Sequence, residues 1–161
     1  MMTDVTATRK TPTGIMERLE TVIAAPDATL VANPSGIAHE LLELGETILE
    51  RWLDAHGTVP TPQLSEGFRL LALHRQGARG DPSFNACRET CREIVYHRNL
   101  ITSEPGHPDT ARRVRLAAMV ARHLALFIDG KLEAAELGEF CCSSRPLRTR
   151  GAASAATTVP E

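Results

Sequence analysis

Cys87 and Cys91 stand four positions apart in the stretch FNACRETCREIVYHRN and are followed by Tyr96, His97 and Arg98. Two thiols at this spacing can share a metal, form a redox couple, or pack as small apolar side chains. Cys141 and Cys142, in EFCCSS, would add two more sulfurs if that segment folded back over the first pair. A CxxxC spacing with a vicinal pair matches no standard zinc pattern, where CxxC knuckles or histidine pairs are expected. Helical geometry favours packing. At about 100° per residue, Phe84, Cys87, Cys91, Ile94, Val95 and Ile101 share one apolar arc, whereas His97 points about 120° away from Cys91. The metal-, haem- or redox-binding alternative would use Cys87, Cys91, His97, Cys141 and Cys142. Arg98 falls inside the apolar arc, so its stem is expected to lie on apolar surface with the head in water, or else to meet a buried carboxylate.

A second group is His39, Glu43, Glu46 and Glu50, spaced to stack on one helical face opposite Ile37, Leu41, Leu44, Ile48 and Trp52. Acids directed away from the main apolar side do not suit a carboxylate-bridged di-iron bundle. They suit a solvated or partner-facing surface. Within SGIAHELLELGETI, His39-Glu40-Leu41 resembles the phospho-accepting helix of histidine kinases. That family continues Arg-Thr-Pro, where this chain has Leu42-Glu43-Leu44. The resemblance covers three residues and implies, as an alternative function, histidine phosphotransfer through His39.

Arg112, Arg115, Arg122 and His123 form a third group, on a face opposite an apolar stripe. Arginines so placed could meet phosphates. However, the sequence pI is about 6.3 and aromatic residues make up only 4%, leaving little for base stacking, so nucleic acid is disfavoured as a partner. Leu42, Leu49 and Leu53 widen the apolar arc of the helix that carries the acidic stripe. An arc broader than one neighbour requires is expected at a self-association surface, with Glu43, Glu46 and Glu50 meeting Arg112, Arg115 and Arg122 to set register.

The elements that must position these residues read as helices. Thr11-Pro12, Asn33-Pro34, Thr61-Pro62, Asp81-Pro82 and His107-Pro108 each place proline before helical periodicity, and Thr, Asn and Asp are good caps. Helices are expected at about 13–25, 34–56, 62–76, 82–101 and 108–129, with a sixth at 131–138 if Asp129-Gly130 breaks the last one. Gly57 and Gly77 stand where C-terminal glycines belong. The expected fold is an all-α antiparallel helical bundle of five to six helices. It forms a single domain over 13–145, between a flexible tail at 1–12 and a disordered tail at 146–161.

The chain has 161 residues, enough for one domain with a hydrophobic core. The sequence carries no Gly-rich phosphate loop, nucleophile elbow or HExxH, so the leading expectation is a non-enzymatic protein-interaction or regulatory module. It would bind itself or another protein, need no cofactor, and work in the cytoplasm. No apolar run is long enough to span a bilayer, and the first residues contain no signal-type apolar core.

Overall fold

The computed structural model describes residues 11–135. It is an all-α bundle: α1 (Pro12–Ala24), α2 (Asp27–Ala32), α3 (Pro34–Ala55), α4 (Arg69–Gly80), a 3-10 turn (Pro82–Cys87), α5 (Arg88–Ser103) and α6 (Thr110–Ala134). Among the described residues there is no strand beyond an isolated bridge between Ser65 and Phe68. None of the described helices is long and apolar enough to cross a membrane. One compact unit ends at Ile128 and holds α1 to α5 and most of α6; the last turns of α6 open a second unit at Asp129. The tails expected at 1–12 and 146–161, like Cys141 and Cys142, lie wholly or almost wholly outside the described residues.

Three of the five cap-proline pairs act as caps. The Thr11 hydroxyl accepts from the Gly14 amide at 3.0 Å, and the Asn33 side chain accepts from the Gly36 amide at 3.2 Å. Asp81 accepts from the Ser83 amide at 3.1 Å, but it starts a 3-10 turn, so α5 begins six residues later than the sequence predicts. Thr61-Pro62 starts no helix at all. The Thr61 hydroxyl accepts from the Gln63 amide in a local turn, and the chain stays irregular until α4 begins at Arg69. Glu66 and Gly67 adopt positive φ values of 54° and 86°, which ends any helical path through this loop.

The loop is held by side chains. Arg69 donates from Nε to the Thr61 carbonyl at 2.8 Å, while Gln76 accepts from the Thr61 amide at 2.9 Å and donates to the Val59 carbonyl at 2.8 Å. Gly57 closes α3 with φ 71°, as its position predicts. Gly77 closes nothing: it lies inside α4, where a Cβ would sit 2.6 Å from Cε2 of Phe84. Its role is close packing against that ring. Gly130 does not break α6, whose apolar rhythm outweighs the modest helical cost of one glycine.

α3 is the centre of the bundle. It packs against α4 and α5, and also against α1 and α2. Gly45 lets α4 and α5 approach, since a Cβ there would meet Leu70 Cδ1 at 3.3 Å and Ile94 Cδ1 at 3.5 Å. This surround explains the broad apolar arc. Leu42, Leu49 and Leu53 are all buried within the chain, so they are core positions and not the exposed interface that the sequence suggested. A bidentate pair of 2.8 Å bonds from Arg18 to Glu40 ties α1 to α3. α6 turns a face of small and branched residues inward, with Val114, Ala118, Ala121 and Leu124 fully buried.

Candidate functional site

Phe84, in the 3-10 turn, is completely buried and organises the region around the two thiols. Its ring lies 5.3 Å from Trp52 of α3 and 5.4 Å from His74 of α4, near-parallel to both. Its carbonyl accepts from the Cys87 thiol at 3.2 Å and pairs with His74 Nε2 at 3.1 Å. A carbonyl can only accept, so this contact places the imidazole proton on Nε2.

Cys87 and Cys91 are 2% and 0% exposed and are not joined in a disulfide. They sit in the apolar arc that the spacing predicts. The Cys91 thiol hydrogen-bonds the Cys87 sulfur, which together with burial pushes Cys91 above the ordinary thiol range. The same bond draws Cys87 down to about 6, against burial and with help from His74.

His97 does not join them. Its ring packs edge-on against Tyr96, and its Nδ1 is buried without a hydrogen-bond partner. Among the described residues no group of three or more His, Cys, Asp or Glu side chains could hold a metal. Of the five candidate ligands, the structure therefore brings together only the two thiols, and Cys141 and Cys142 are not described.

Burial holds His97 below the ordinary imidazole value of 6.5, with Glu93 opposing. A histidine lowered in the folded state leaves stability intact above its unfolded value and erodes it as pH falls below that value. Thermal melts should therefore lose ground between about pH 7 and 5, and His97→Gln should flatten part of that slope. Identical slopes in the two proteins would show that His97 does not contribute. Glu46, raised chiefly by burial, acts in the opposite sense and is present in both proteins.

The acidic stripe is divided. His39 and Glu43 are exposed, 3.6 Å apart. Glu46 and Glu50 are half-buried and converge on Arg69 of α4, Glu46 at 3.6 Å and Glu50 through a direct hydrogen bond. The expected pairing of Glu43, Glu46 and Glu50 with Arg112, Arg115 and Arg122 is therefore replaced, for Glu46 and Glu50, by a bridge within the bundle. Arg115 instead caps α1, donating to the carbonyls of Ile23 at 3.0 Å and Ala25 at 2.9 Å and to Asp27 at 2.8 Å. Arg112 is exposed and Arg122 half-buried. Arg98 meets no carboxylate among the described residues; its guanidinium lies 5.7 Å from the centre of the Phe68 ring and donates to Asn99 at 3.0 Å.

The sequence reading passed over a different cluster. Arg75 and Arg79 project from α4, and Arg88 and Arg92 from α5, around two adjoining depressions of about 250 and 260 Å³. His74, Arg75 and Arg88 line both; Ala78, Arg79 and Asn85 complete the first, and Ser65, Glu66 and Arg92 belong to the second. Glu66 takes both oxygens to Arg92 at 3.1 Å, and that guanidinium holds its carboxyl below the usual range. Arg75 donates to the Ser65 hydroxyl at 3.1 Å. The visible signal was two arginine pairs, each at i and i+4, flanking Asp81-Pro82.

No known family, curated protein or solved structure matches the chain. The fold and these side chains carry the functional reading alone.

Proposed function

We propose that the chain is a non-enzymatic protein-interaction module that pairs with a second copy of itself through the outward face of α6. The observation that carries this reading is a row of exposed apolar residues: Leu116, Met119 and Leu126, 39%, 42% and 56% exposed, with exposed His123 between the last two. The spacing of the four is three, four, three, which is the seam of a helical pair. It also reads the same in both directions. In an antiparallel pair about a twofold axis, Leu116 meets the second copy's Leu126, and Met119 meets its His123, so one patch complements itself. Thioether against imidazole is a favourable contact of the sulfur–aromatic kind.

Light scattering after gel filtration, at tens of micromolar protein, tests the reading. A dimer mass is expected, and Met119→Glu/Leu126→Glu should convert it to a monomer with unchanged helical circular dichroism. A wild-type monomer at that concentration, or a dimer mass undiminished in the folded double variant, would remove the proposal.

Thiol redox sensing is supported by the lowered Cys87 beside Cys91 and opposed by the near-complete burial of both. Phosphotransfer through His39 is supported only by the exposure of that side chain.

A further inference from the structure

We infer that the arginine-lined depressions between α4, the 3-10 turn and α5 form a binding site for a phosphoryl group, the first depression being its seat. The charge balance makes the case. Four guanidinium groups surround the two depressions, and a single carboxylate, Glu66, lies among them. That carboxylate is already committed to Arg92 through both oxygens. Arg79 and Arg88 have no hydrogen-bond or ion-pair partner among the described residues, and both line the first depression with Arg75, Asn85 and His74.

Arginines at i and i+4 on one helix repel each other, and here two such pairs face one another across a turn. A fold gains nothing from that arrangement by itself. A doubly charged anion between the two helices would reverse the sign of the interaction for all of them at once. The Glu66–Arg92 contact shows the geometry on offer: a planar fork receiving two oxygens of one group. A phosphoryl group presents three such oxygens and nearly two charges, and so can engage Arg75, Arg79 and Arg88 together. Asn85 adds an amide donor from the 3-10 turn. His74 forms the floor; its Nε2 is occupied by the Phe84 carbonyl, so its ring is fixed in place.

The two depressions share His74, Arg75 and Arg88 in their lining. Their rim is polar and cationic, which suits a ligand whose recognised part is the phosphoryl group, whether on a small metabolite or on a modified side chain. The site lies on α4 and α5, so it is separable from association through α6.

The test is titration of the full-length chain by calorimetry and amide NMR. Inorganic phosphate is the first probe, with sodium chloride at matched ionic strength as control. Phosphate should saturate and should shift the amides of residues 74–92, while chloride should not. Arg79→Ala/Arg88→Ala should weaken phosphate by at least about tenfold, since each arginine removed deletes a charge-assisted contact. Without phosphate, that variant should melt no lower than the parent, because it relieves like-charge repulsion; this separates lost binding from lost fold. A simple sugar phosphate and a phosphoserine peptide then identify the source, the tighter of the two naming the carrier. Phosphate shifts no larger than those of chloride, or undiminished binding by a folded double variant, would overturn the inference.

Discussion

Phe84→Ala will destabilise the fold by about 3–5 kcal/mol, the range for removing a large ring from a packed interior. Three structural reasons put it near the upper end. The ring has no exposed surface, it lies against Trp52 and His74 at 5.3 and 5.4 Å, and the glycine at 77 leaves no side chain to close the void. In a domain of this size the melting temperature should fall by about 10 °C or somewhat more. Phe84→Leu should lose less than half as much, because it keeps most of the volume. Urea unfolding of the three proteins measures this directly, and a loss below about 1 kcal/mol for the alanine variant would contradict the central role given to the ring.

Leu49→Glu should leave no folded protein at neutral pH. Leu49 is fully buried on α3, the helix on which α1, α2, α4 and α5 all pack. With no exposed surface at this position, an ionised carboxylate is stripped of water, and even a protonated one costs the desolvation of its polar atoms. Either penalty, added to the lost leucine packing, is comparable with the roughly 5–15 kcal/mol that holds a domain together. Far-ultraviolet circular dichroism should show loss of helix, and the protein should aggregate. A soluble, helical monomer would restore the reading of Leu42, Leu49 and Leu53 as an interface. The contrast with Met119→Glu/Leu126→Glu is the informative part: one glutamate placed inward unfolds the chain, two placed outward only separate the copies.

Local chemistry made some of this fold legible and left the rest hidden. Thr11-Pro12 and Asn33-Pro34 announce α1 and α3 because caps and first-turn prolines act within four residues. Thr61-Pro62 has the same letters, yet its hydroxyl serves a turn, and long-range bonds from Arg69 and Gln76 hold the segment irregular. The six-residue α2 is too short for periodicity to reveal. The burial of Cys91 followed from helical angle, whereas Cys87 is buried from a 3-10 turn to which that angle does not apply. The width of the α3 arc correctly implied more than one neighbour, but periodicity carries no information about which surface covers it, and here the chain's own helices do. The arginine depressions were legible only as two i, i+4 pairs. Their meeting depends on the 3-10 turn Pro82–Cys87, beyond which α5 packs against α4.

The bonds from Arg115 to the carbonyls at the end of α1 join residues 92 and 90 positions apart. During synthesis α1 leaves the ribosome long before its terminal carbonyls can find their donor, and water must satisfy them in the interval. α1, the first of the described helices to be made, is thus finished only once α6 has emerged. A chain interrupted anywhere between α1 and α6 would therefore carry an α1 whose last turn stays frayed.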